Sequence, residues 1–95
     1  MSLAVACIEF ELYLPYAHSL KDKRQLVHRL RDRARAQFPV LVVETAHQES
    51  WQRAGLALIL AGSERRVVEA QVNQLRDFCV ELLPGELSEF HWAWR

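Results

Sequence analysis

Glycine and proline are scarce in this chain, three of each among 95 residues. Such scarcity excludes a collagenous or linker-like chain, and with 51% of residues hydrophobic it excludes a disordered one. Cysteine is nearly absent as well. Cys7 and Cys79 lie in apolar periodic segments and form no CxxC pair, so neither a disulfide framework nor a zinc ribbon is expected, and both read as buried reduced thiols. No apolar run approaches the roughly 20 residues that cross a bilayer. The first residues lack a basic segment, and Glu9 and Glu11 interrupt the apolar ones. No signal peptide and no membrane partner are expected, and the reading is a cytoplasmic protein.

Excess charge of one sign is also lacking, with 12 basic and 12 acidic side chains. A zero net charge argues against a polyanionic partner, but the distribution is uneven. Seven of the basic residues (Lys21, Lys23, Arg24, Arg29, Arg31, Arg33 and Arg35) fall within positions 21–35, against Asp22 and Asp32 alone. From Asp77 to Glu89 every charge is negative. The molecule is therefore expected to be dipolar, which bears on association rather than on fold.

What is present is periodicity. Ala4, Ala6, Ile8, Phe10, Leu12 and Leu14 alternate with Val5, Cys7, Glu9, Glu11 and Tyr13, the period-2 pattern of a strand over 4–14. Ser19 is placed to cap a helix from Leu20 to Gln37, with Asp22 as a capping-box variant, and Pro39 stops it. Val40–Thr45 predicts a second strand. After a hairpin loop near 47–53, Ala54, Leu56, Leu58 and Leu60 predict a third. Ser63 is expected to cap a second helix with a stripe of Val68, Val72, Leu75, Cys79 and Leu82, which Pro84 and Gly85 end. Leu87–Trp94 makes the last strand. This β-α-β-β-α-β order predicts a single α+β domain over 1–95, ferredoxin-like, a four-stranded antiparallel sheet with two helices on one face. The loops after strand 1, strand 2 and helix 2 then share one end of the sheet.

Two blocks, His18-Ser19-Leu20-Lys21-Asp22-Lys23-Arg24 and Glu44-Thr45-Ala46-His47-Gln48-Glu49-Ser50-Trp51-Gln52-Arg53-Ala54, resemble the motif blocks of the YlxP-like family, small bacterial proteins of unknown function. The resemblance covers nearly the whole chain. It implies a ferredoxin-like fold and a cytoplasmic protein whose gene, in several bacteria, lies among genes for translation and ribosome maturation. That neighbourhood motivates an RNA-related role. Phe90, Trp92 and Trp94 make the last strand more aromatic than the family pattern.

Three places are candidates for function. On helix 1, Arg24, His28, Arg31 and Arg35 recur at steps of 4, 3 and 4, with Lys21 and Lys23 beside them, a row suited to tracking phosphates; the plain alternative is a solvated face. Cations in the first helical turn also oppose the macrodipole, a local cost easier to understand if they bind something. The shared end of the sheet gathers His18, Ser19, Glu44, His47, Gln48 and Trp51. His18, His47 and Glu44 are usual zinc ligand types, yet no ligand spacing matches and a fourth ligand is missing. Glu44 orienting His47 as an acid or base is conceivable, but no nucleophile or cofactor cradle accompanies it. The structural alternatives are His18 or Ser19 capping the helix and Trp51 covering the hairpin base with its ring N–H bonded nearby. Third, Phe90, Trp92 and Trp94 share one face of the last strand. Facing the helices they are core; facing outward they would form a dimer interface or a base-stacking platform.

The reading is a non-catalytic module with no cofactor and no metal, binding RNA or a ribosomal particle. The alternative is a homodimeric interaction or structural module using the outer sheet face or an edge strand.

Overall fold

The alternating first segment forms β1 (Ala4–Tyr13), whose even-numbered side chains are buried while the odd ones are half-buried or exposed. A computed structural model describes residues 2–83 and 86–95. The remaining elements are α1 (Leu20–Gln37), β2 (Val40–Ala46), β3 (Arg53–Gly62), α2 (Arg65–Leu82) and β4 (Leu87–Trp94). The four strands form one antiparallel sheet in the order β2-β3-β1-β4, and this ferredoxin-like α+β arrangement is the expected one. Among the described residues no helix is long and apolar enough to cross a membrane.

Ser19 caps α1 as expected. Its hydroxyl accepts from Asp22 N at 3.0 Å, satisfying a donor that the first turn leaves open. The capping box closes differently: Asp22 Oδ2 accepts from the backbone N–H of His18, one residue before the cap. For α2 the expected cap is displaced. The helix starts at Arg65, so Glu64 occupies the cap position without a side-chain bond, and Ser63 instead offers its carbonyl to the Ser2 hydroxyl. Pro84 and Gly85, expected to end α2, lie outside the described residues.

Both helices pack on one face. Leu30, Ala34, Val68, Leu75 and Cys79 close over Ile8, Leu12, Leu56, Leu58 and Leu60, and each fully buried aliphatic side chain contributes roughly 1.5–3 kcal/mol. Burial pushes the Cys79 thiol up to about 12, so it stays protonated and inert. Phe90, Trp92 and Trp94 take the helix-facing side. Phe90 stacks on Phe10 at 6.1 Å between centroids, Trp92 meets Trp94 edge-on at 5.1 Å, and Arg65 and Arg76 of α2 lie over Trp94 and Phe90. A dimer or base-stacking surface built on these three rings is therefore ruled out by their position.

At the far end of β2 the pairing with β3 slips between Glu44 and Ala46, and His47 follows in the left-handed region at φ 60°. Gly55 is opposite the slip. A Cβ there would stand 2.8 Å from the Ala46 Cβ, so the close approach requires glycine.

Candidate nucleic-acid interface

Helical spacing divides α1 into unlike faces. Lys23, Val27, Leu30 and Ala34, at steps of 4, 3 and 4, form its buried side. Lys23 was expected among the phosphate-contacting cations, and its position corrects that: it is 1% exposed, one turn before Val27 on the core stripe. Its Nζ lies 3.0 Å from Glu44 Oε2 and donates to the carbonyls of His47 (2.8 Å), Gln48 (3.3 Å) and Arg53 (3.3 Å). Three N–H groups thus face four oxygens. The ammonium is neutralised by Glu44 while it ties the loop after β2 to the first turn of α1.

The exposed cations lie on other faces. Arg33 and Gln37 line a groove against Gln74, Asp77 and Phe78 of α2, so that flank of α1 faces the second helix. Arg24, His28, Arg31 and Arg35 share the opposite flank, with Lys21 beside them, and since α1 packs on β2 they run along the β2 edge of the sheet. Lys21, Arg24, His28 and Arg35 are exposed; Arg31 is half-exposed and pairs with Asp32 at 3.0 Å. Surface pairs of this kind are worth little, so Arg31 can exchange Asp32 for another anion. The inter-helix groove, about 610 Å³, carries Asp77 and Glu81 against one Arg33 and would repel a polyanion.

The shared end does gather the expected residues, but in different pairs. Glu44 continues the inward alternation of Val40 and Val42 and so meets Lys23 beneath α1. The slip and the left-handed turn at His47 then carry the imidazole to the opposite face, where Nε2 donates to Glu11 Oε1 at 2.9 Å. The Glu44–His47 pairing is thus replaced by Glu11–His47, with Arg53 Nη2 on the other Glu11 oxygen at 2.9 Å. His18 is exposed and enters only through its backbone N–H. Gln48 donates its amide to the Glu44 carbonyl. Trp51 does not cover the hairpin base: it is 53% exposed, and its ring N–H has no bonded partner among the described residues. Among the described residues no group of three or more His, Cys, Asp or Glu could hold a metal ion.

Hydrogen bonds from His47 and then Arg53 hold the Glu11 carboxyl below the ordinary glutamate range, opposed by partial burial. A carboxylate with a depressed value stabilises the fold above its unfolded pKa, and that contribution disappears as pH falls through the folded value. Urea midpoints of Glu11→Gln should therefore lie below those of the wild type at neutral pH, and the gap should close on acidification below about pH 4.3. A gap of constant size down to strongly acid pH would show that Glu11 titrates as a free side chain.

The family model described as "Protein of unknown function (DUF503)" matches residues 5–92. Over 70 residues the chain is 30% identical to "Uncharacterized protein YlxP" of Bacillus subtilis (strain 168), covering 74% of this chain and 76% of that protein.

Proposed function

Because the chain belongs to the DUF503 family of unknown function, we propose that it is a non-catalytic binding module whose ligand is RNA or a ribosomal particle, held by the cations of α1. One observation carries this reading. Lys21, Arg24 and Arg35, on the flank of α1 beside the β2 edge, make no ion pair with the described carboxylates within 4.0 Å, although the chain has as many acids as bases. The acids nearest in sequence are committed elsewhere, Asp22 to the His18 amide and Asp32 to Arg31. Free cations in a row neutralise phosphates and release their counterions, which gives affinity that depends on salt. The translation-gene neighbourhood implied by the family resemblance agrees with such a ligand.

The expected result is that the protein sediments with ribosomal particles at low salt and separates from them at high salt. No association at low salt, or association that salt leaves unchanged, contradicts the reading.

A second reading rests on the outer sheet face. Leu41, Ile59, Cys7 and Ala93 form an apolar row across all four strands, with Leu41 63% and the neighbouring Val43 47% exposed. Such a face suits a second copy. A clean monomer in sedimentation at micromolar concentration removes it.

A further inference from the structure

Nine aromatic residues occur in the chain, and the three with widely exposed rings, Tyr13 (55%), Tyr16 (47%) and Trp51 (53%), all stand at one end of the domain. Their proximity follows from backbone contacts. Tyr13 is in register with Arg53 at the end of the β1–β3 pair, Leu14 N donates to the Gln52 carbonyl at 2.7 Å, and the Gln52 side-chain amide donates to the Pro15 carbonyl at 3.1 Å. The residue after Trp51 is thus fastened to the segment between Tyr13 and Tyr16. The Lys23 ammonium fixes the rest of that loop from beneath. The loop that carries Trp51 is thus braced, and two exposed cations accompany the rings, Arg29 in the cleft with Tyr16 and Arg53 in register with Tyr13.

Exposed aromatic rings gathered at one end of a domain mark an interaction site, and rings accompanied by cations suit a strand whose bases are free to stack. A duplex offers no base faces, since each base is already stacked within the helix. Beside Tyr16 a cleft of about 320 Å³, walled by Asp22, Gln25, Leu26 and Arg29, adds an apolar floor with amide and carboxylate groups at its rim. Ring face, apolar floor and mixed donors and acceptors are what an unpaired base requires.

We infer that this end of the domain takes single-stranded RNA, with unpaired bases stacking on Trp51, Tyr13 and Tyr16, one of them entering the cleft beside Tyr16, while neighbouring phosphates meet the start of α1. The inference rests on the RNA reading of α1 and names its substrate class.

The test is fluorescence anisotropy at low salt with a labelled 12-nucleotide single-stranded RNA and with the same RNA in a full duplex. The wild type should prefer the single strand by tenfold or more. Stacking contributes about tenfold for each base, so Trp51→Ala with Tyr16→Ala should weaken single-strand binding on the order of a hundredfold while duplex binding and its salt slope stay unchanged. Trp51→Phe, which keeps a ring, should retain most of the affinity. Both rings are exposed, and an unchanged thermal midpoint confirms that the variants fold. Equal binding of duplex and single strand, or full single-strand binding by the double variant, overturns the inference and leaves the α1 reading intact. Binding of neither RNA by the wild type refutes the α1 reading itself, and this inference with it.

Discussion

Lys23→Met is expected to remove about 3–5 kcal/mol of stability, the range for breaking a buried ion pair by deleting one partner. Methionine keeps the packing of the stem against the core but takes the ammonium away from Glu44 and from the carbonyls of Gln48, Arg53 and His47, the last keeping only its bond from Ser50 N. For a domain with about 5–15 kcal/mol in all that is a large share of the margin, and at roughly 4–8 °C per kcal/mol the thermal midpoint should fall by about 12–40 °C. Removing the stranded carboxylate as well, in Lys23→Met/Glu44→Leu, should recover part of the loss, because the cost of an uncompensated buried charge disappears. Urea unfolding with an unchanged m-value measures both. A loss under about 1 kcal/mol would show that the ammonium behaves like a surface cation.

The same residue joins the two separated blocks that carry the family resemblance. Lys23 belongs to the first; Glu44 and all three carbonyl partners belong to the second. The blocks are two halves of one clamp. Their physical role is to hold the loop after β2 against the start of α1, with Lys21, Arg24 and Trp51 left exposed on the outside.

The fold was legible because periodicity reports burial directly. Alternation over Ala4–Leu14 and the stripe Val68, Val72, Leu75, Cys79 each mark a face that must be covered, and the observed elements begin and end close to the expected positions. The site was legible only in part. Lys23 stands at the core spacing from Val27, Leu30 and Ala34, a signal present in the sequence, but the expectation that lysine faces water obscured it. The partner of His47 could not be read, because the slip at the end of β2 changes which face the next side chain takes. Ser63 looked like a cap on residue type alone, whereas the backbone enters α2 one residue later. Trp51 was expected to be covered, and nothing in its local spacing announced its exposure.

On the proposed reading, the flank of α1 beside the β2 edge neutralises phosphates. Arg24, Arg31 and Arg35 share that flank; Arg24 and Arg35 are unpaired among the described residues and Arg31 is held only by an exposed Asp32. None of the three touches the Lys23 clamp, so replacing them by Ala should leave the thermal midpoint nearly unchanged. Each charged hydrogen bond to phosphate contributes on the order of 1 kcal/mol, so the triple variant should bind RNA about a hundredfold more weakly at low salt. With about 0.7 counterions released per phosphate on a single strand, the slope of log affinity against log salt should become shallower by about 2. Titrating one single-stranded RNA against wild type and the Arg24→Ala/Arg31→Ala/Arg35→Ala variant across a salt series is the most direct measurement. Weaker binding with the shallower slope is the expected result, and equal affinities with equal slopes would refute a phosphate-binding role for this flank.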